Sequence, residues 1–164
     1  MTVYLLDTNV FIEAKNRFYG MDFCPAFWDW LIIQNQAGTV VSIEKVGDEL
    51  QAGNDELSAW ALARGASFFM PPNTAILPAL QEVSLWSRSQ RYEPSAVATF
   101  LQIADYWLVA HAKAHGHTVV TQEVPDNSTR NIKIPSACIG LKLPFVNVFE
   151  MLRREHARFV LGNP

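Results

Sequence analysis

Residues Val3 to Leu6 form an apolar run that stops without transition at Asp7. Four consecutive apolar residues leave no polar face for water, so the run reads as a strand buried on both sides, the kind found in parallel sheets. A parallel neighbour needs a crossover of about a dozen or more residues, and the chain supplies these repeatedly. Thr8 and Asn9 offer cap chemistry for a helix from Val10 to about Lys15. After the aromatic loop RFYGMDFCP, Pro25 opens a helix to Gln36, Gly38 punctuates it, and Thr39 to Ser42 is a second, β-branched strand. Helices over 43–51 and 55–64, with Gly53 between them, lead to a third strand at 67–70 that Pro71 and Pro72 stop. Residues 73–91 read as a helix with Pro78 near its start, and 94–114 as another, ended by Gly116. His117 to Thr121 is a fourth strand, and the polar loop EVPDNSTRN separates it from IKIPSACIGL. Phe145 to Val148 is a last strand before a terminal helix to about Val160. Strands alternating with helices predict an α/β fold, a three-layer α/β/α sandwich with a mostly parallel central sheet.

Composition agrees with one core. Of 164 residues, 49% are hydrophobic and 18% charged, the balance of a globular protein, and a single domain over residues 1–164 is expected at this length. No apolar run approaches the roughly 18–20 residues of a membrane span. MTVYLLDTNVFIEA meets an acid at Asp7 and has neither a basic n-region nor a small-residue cleavage site, so it does not read as a signal peptide. Cys24 and Cys138 make neither a disulfide framework nor a C-x-x-C metal pair; a cytoplasmic protein is expected. The net charge of −3, from 13 basic and 16 acidic residues, argues against gripping nucleic acid by bulk positive charge. It is compatible with an enzyme that gathers carboxylates around metal ions to act on nucleic acid.

Open parallel sheets bind ligands outside the carboxyl ends of their strands, and this selects which acids matter. Asp7 ends the first strand and Glu123 lies two residues past the fourth, so both are expected in one crevice. Asp105, on the helix read over 94–114, has Leu101, Gln102, Leu108 and Val109 as helical neighbours, with Ala112 a turn further. A carboxylate in such an apolar stripe is costly unless paired or bound to metal; a salt bridge to a lysine or arginine, or a capping role, is the alternative. Glu49 lies between Val46 and Leu50 on the helix after the second strand, where a solvated acid is equally consistent, and Asp48 replaces it if the helix phase slips by one. Four acids from separate elements suit a hard divalent cation. Such an ion lowers the pKa of a bound water and stabilises charge on a phosphate being displaced, and it offsets the repulsion among the acids.

These residues carry a family resemblance. YLLDTNVFIEA resembles the opening strand and helix of the PIN domain, the ribonuclease fold of VapC-type toxins, with the family's D-T-N falling on Asp7, Thr8 and Asn9. SIEKVGDEL is similar to the family's S-x-x-x-V-x-x-E-L, on Ser42, Val46 and Glu49. ADYWLVAHAKAHG looks like its aspartate opening a small-residue helix, on Asp105, and TQE like its T-x-D after the next strand, on Thr121 and Glu123. The motifs follow in order over the whole chain, and IKIPSACIGL…NVFEMLRR looks like an uncharacterised PIN-like branch with long aromatic insertions. The resemblance implies a Mg²⁺- or Mn²⁺-dependent endoribonuclease. In it Asp7, Glu49, Asp105 and Glu123 hold metal and activate water, and Asn9 and Thr121 orient those ligands. It also implies an RNA substrate and, for the toxin of a toxin–antitoxin pair, a cognate antitoxin; a homodimer is an open option. Glu123 stands where the family has an aspartate, one methylene shorter, and Asp126 is the reserve for that position. Among the basic residues, Arg130 and Lys133 flank the crevice loop and are the candidates for RNA phosphates, whereas Lys15, Arg17, Arg88 and Arg91 read as solvated surface.

Other chemistries fit less well. His111 and His115 are four apart with His117 beyond, but the string HAKAH lacks the glutamate of HExxH, so they read as solvated or packing histidines. Phe23, Phe27, Trp28 and Trp30 suit a core or a partner protein better than base stacking. A D-x-D phosphatase would need an acid at Asn9, and dinucleotide binding a glycine-rich turn after the first strand; the sequence has neither. A catalytically weak PIN-fold protein that binds protein or RNA is the remaining alternative.

Overall fold

A computed structural model describes residues 1–162. Its strands are β1 (Tyr4–Leu6), β2 (Val40–Ile43), β3 (Phe69–Met70), β4 (Thr118–Val120) and β5 (Phe145–Val146). They form one sheet in the order β3-β2-β1-β4-β5, parallel at every pairing. The helices are α1 (Thr8–Glu13), α2 (Pro25–Gln36), α3 (Glu44–Gln51), α4 (Glu56–Arg64), α5 (Leu77–Ser89), α6 (Pro94–Phe100), α7 (Ala104–His115), α8 (Ile134–Leu141) and α9 (Val148–Arg154). β1 lies in the middle, and Tyr4, Leu5 and Leu6 are all buried, as an unbroken apolar run requires. From β1 the chain steps outward to β2 and β3, then crosses back to β4 and β5. Right-handed crossovers in these two opposite directions place helices on both faces of the sheet. The expected α/β sandwich is therefore present, and its sheet is wholly parallel. The direction reverses between β1 and β4, and a crevice opens at such a reversal, beyond the carboxyl ends of the two strands.

Several boundaries depart from the sequence expectation, each for a local reason. Asp7, not Thr8 or Asn9, is the N-cap of α1: its Oδ1 accepts the Thr8 N–H at 2.7 Å, and the helix starts at once. α1 then runs into a π-helical turn over Ala14–Phe18. The stretch 94–114 is two helices, because the N–H groups of Gln102 and Ile103 turn back to the carbonyls of Thr99 and Phe100. Leu101 and Gln102 thus share no helical face with Asp105, which lies in the first turn of α7 rather than inside a stripe. IKIPSACIGL holds α8, with Pro135 in its first turn, where the missing N–H is harmless. β5 stops at Val146 because the Asn147 side chain caps α9, accepting the Glu150 N–H at 2.8 Å. α9 ends at Arg154, short of Val160, in a turn that puts His156 at φ 54.

The aromatic load goes mainly to the core. Phe11 has ring centres of Trp60, Phe68 and Phe69 within 5.9–6.1 Å. Phe27 and Trp28 are buried and Trp30 packs at the core's edge, while Phe23 is 67% exposed. Among the described residues, no helix is long and apolar enough to cross a membrane. Of the domain expected over 1–164, residues 163–164 lie outside the description.

Candidate functional site

The reversal point is wired by side chains that follow β1 and β4. Asp7, 4% exposed, receives the Thr8 N–H on Oδ1 and the Thr121 hydroxyl on Oδ2 at 2.9 Å. The same Thr121 oxygen accepts from Asn9 Nδ2 at 3.3 Å and from the Glu123 N–H at 3.2 Å. Asn9 Oδ1 in turn accepts the Gln122 N–H at 3.0 Å. A hydroxyl has one hydrogen, so two donors arriving at Thr121 leave its own hydrogen for Asp7. Asn9 and Thr121 therefore lock the two strand ends to each other and to Asp7. On the other side of β1, the buried Ser42 hydroxyl donates to the Leu6 carbonyl at 2.6 Å, and the Thr8 hydroxyl donates to Glu49 Oε2 at 2.6 Å. Asp48 and Glu49 are both exposed, and Glu49 is the α3 acid that contacts α1.

Glu123 is fixed from below: its Oε2 accepts the N–H of Ile134, the first residue of α8, at 2.9 Å. Asp105 enters from the first turn of α7. Glu123 and Asp105 share a cleft of about 170 Å³ that Arg130, Lys133, Thr99 and Phe100 also line. Asp126 stays exposed in the loop and spends Oδ1 on the Ser128 N–H at 3.0 Å. Asp105 and Glu123 thus line one cleft, Asp7 lies within electrostatic reach of both, and Glu49, which lines a neighbouring hollow, lies within reach of Asp105; Asp126 does not line the cleft. Arg130 pairs with Glu93 at 3.8 Å on the outer rim, and Lys133 caps α8.

The acids feel each other. Burial raises the Asp7 pKa well above the ordinary carboxylate range, and the charges of Asp105 and Glu123 add to that, against the hydrogen bonds from Thr121 and Thr8. Asp105 is raised to about 7 by burial and by the charges of Glu123 and Glu49, with its own backbone N–H and Lys133 opposing. Burial, with Asp7's charge behind it, pushes the nearby Cys138 thiol to about 12, which leaves it a neutral packing group. Among the described residues, none of the ion pairs closer than 4.0 Å involves any of the four acids. That donor set, all carboxylate and in no close ion pair, fits a hard divalent ion. As they stand the acids rim the crevice rather than close on one point: no three His, Cys, Asp or Glu side chains among the described residues form a ready metal cage.

Sequence reasoning missed two positions. Thr8, in the sequence a cap candidate and the middle of the D-T-N motif, has a further role: its hydroxyl donates to Glu49. Gln122 drew no notice, yet its Oε1 accepts the N–H of Val148 at 2.9 Å and so seats α9 against the crevice loop. A T-N pair after the strand-end acid gave a signal for the first; an isolated glutamine gave none for the second.

Residues 4–159 match the family described as Domain of unknown function (DUF4411). The chain belongs to the DUF4411 family. No curated protein matches it. Among solved structures, this DUF4411 chain is similar to FitAcB from Neisseria gonorrhoeae, at 20% identity and TM-score 0.55, over 88% of this chain and 97% of that one. It is also similar to VapBC2 from Rickettsia felis bound to a DNA fragment from their promoter, at 19% identity and TM-score 0.51, over 89% and 98%. A third likeness is to FitAB bound to an IR36 DNA fragment, at 18% identity and TM-score 0.54, over 88% and 94%. At these identities the likeness speaks to architecture, and the architecture is the PIN fold that the motifs pointed to.

Proposed function

We propose that this chain is a Mg²⁺- or Mn²⁺-dependent endoribonuclease that hydrolyses RNA phosphodiester bonds in the cytoplasm, as the toxin of a toxin–antitoxin pair. The observation that supports the reading is that Asp7, Asp105 and Glu123, beyond the carboxyl ends of β1 and β4, and Glu49 beside Asp105 act on one another electrostatically, with no ion pair to any of them among the described residues. A divalent ion there supplies Lewis acidity and a bound water of lowered pKa. Asp7, Asp105 and Glu123 would hold it, with Glu49 placed beside them by Thr8. Asp7 is kept in one orientation by the Thr8 N–H and the Thr121 hydroxyl, which Asn9 orients in turn. Asp105 releases its proton near neutrality, so it becomes a full anion as a cation arrives. Arg130 and Lys133 lie along the same cleft, where phosphates of a bound RNA would meet them. The fold shared with VapBC2, seen on promoter DNA, and with FitAB, seen on an IR36 fragment, supports a protein partner of antitoxin type.

The open spacing of the acids favours a second reading, a catalytically weak PIN-fold protein that binds protein or RNA. Cleavage decides between them. Wild type incubated with single-stranded RNA and Mg²⁺ or Mn²⁺ should cut it, EDTA should stop the reaction, and Asp7→Asn should reduce it to background while the circular dichroism spectrum stays unchanged. Expression of the wild type should arrest growth and that of Asp7→Asn should not. Metal-dependent cleavage by Asp7→Asn near the wild-type rate would overturn the assignment.

A further inference from the structure

Three histidines meet at the opposite end of α7 from Asp105. His111 is 2% exposed, and neither of its ring nitrogens has a hydrogen-bond partner; His117 Nδ1 is buried without one as well. An imidazole removed from water with no partner is costly, and His111, with both ring nitrogens buried, is such a ring. The His111 and His115 ring centres are 5.4 Å apart, and those of His115 and His117 5.5 Å. All three rings line a cavity of about 460 Å³ whose other walls include Met70, Pro71 and Asn73. No carboxylate lines it, which separates its chemistry from that of the acid crevice.

We propose that His111, His115 and His117 form a site for a borderline transition-metal ion of the Zn²⁺ class. The ligand type is right, since imidazole suits Zn²⁺, Cu²⁺ and Ni²⁺ and is a poor ligand for Mg²⁺. Two of the three ring separations suit such an ion: with Zn–N bonds of about 2.0–2.1 Å, ring centres stand roughly 3 Å from the ion and roughly 5 Å from each other in a tetrahedral site, although the three side chains do not form a ready cage as they stand. The His115 and His117 rings now lie nearly parallel, at 28°, so their nitrogens do not yet converge. His115 is exposed and turns about its two side-chain torsions without disturbing the core. Burial, with the charges of His115 and His117, lowers the His111 pKa to about 4, which keeps its lone pairs free at neutral pH. The carboxyl end of α7, capped by Gly116 at φ 70, adds the negative end of a helix dipole, which favours a cation. Three protein ligands leave a fourth position for water, with the Met70 thioether on the cavity wall. The bound ion would pin the end of α7 to the residue that leads into β4. Asp105 and His115 are ten residues apart on one helix, so the two sites are separated by about 15 Å.

The test is a Zn²⁺ titration of the full chain in excess Mg²⁺, which occupies the acid crevice, with Co²⁺ as a visible-absorption probe. One equivalent of Zn²⁺ is expected, with a tetrahedral Co²⁺ spectrum and a rise of several degrees in melting temperature. His115→Gln and His117→Gln should each weaken binding about tenfold or more, and Asp105→Asn should leave it unchanged. Neither histidine is in the core, so both variants should fold. Absence of Zn²⁺ binding, or binding that survives both histidine variants and is lost in Asp105→Asn, would overturn the site.

Discussion

At Asp105, burial and the charges of Glu123 and Glu49 hold the proton on to about pH 7, whereas an unfolded aspartate releases it near ~3.9. Between those values the native state binds more protons than the unfolded one, so this residue's contribution to stability falls as pH rises through the window. In EDTA, Asp105→Asn and wild type should therefore melt together at about pH 4, and the variant should melt a few degrees higher at about pH 7.5. A variant less stable at both pH values would mean that Asp105 is paired with a cation instead. A comparison between two acids tests the fourth position: Glu123→Gln should weaken Mn²⁺ binding about tenfold or more by calorimetry, and Asp126→Asn should leave it nearly unaltered, because Asp126 faces away from the cleft. The reverse order would move the ligand to Asp126. The place of Asp7 was legible because it directly follows β1, where side-chain position is nearly fixed by backbone direction; Glu123 stands three residues past β4 and is held by Thr121 and the Ile134 N–H. Glu49 and Asp48 were not separable, since one step on a short helix depends on where that helix begins, and Thr8 settles it through a contact 41 residues away in sequence.

At the scale of the element, α3 matters because it carries Glu49 and packs against β3. A Cβ on Gly47 would lie 2.9 Å from Phe69 Cγ and 3.2 Å from its Cβ, and Phe69 is itself wedged against Phe11 and Phe68. Gly47→Ala gains up to about 1 kcal/mol of helix propensity and loses about 1–3 kcal/mol to overpacking. The expected net is a destabilisation of about 1 kcal/mol in urea unfolding, together with weaker Mn²⁺ binding as α3 tilts and Glu49 leaves Thr8. Unchanged stability would show that Phe69 has room to retreat. Helices bounded by proline, glycine or a capping residue could be read from the sequence, as α2 and the end of α7 show. The break between α6 and α7 could not: Leu101, Gln102 and Ile103 include no breaker, and only the packing of Phe100 and Ala104 on the core makes the turn worthwhile. That break is what delivers Asp105 to a helix amino end, where the dipole tempers a carboxylate.

For the molecule as a whole, the alternation of strands and helices announced an α/β sandwich, but strand order was not written in any local pattern. It is set by which apolar faces match once the crossovers close. If the crevice binds a cation only in the folded state, Mn²⁺ at about one hundred times its Kd should stabilise the protein by about 2.7 kcal/mol, several degrees in melting temperature. Asp7→Asn should abolish that response, and a wild-type melt indifferent to Mn²⁺ in the range that supports cleavage would contradict it. The order β3-β2-β1-β4-β5 has one more outcome, in time rather than in space. β1 leaves the ribosome before the other four strands, and β2 can cover one of its edges soon after, but the other edge waits for β4. Asp7 and Thr121 are 114 residues apart, and at about 5–20 residues per second that is roughly 6–23 s of synthesis. Through that interval the central strand of the sheet is an open edge, free to pair with the wrong neighbour. The strand made first waits longest for its second neighbour, and the crevice does not exist in any unfinished chain that lacks β4.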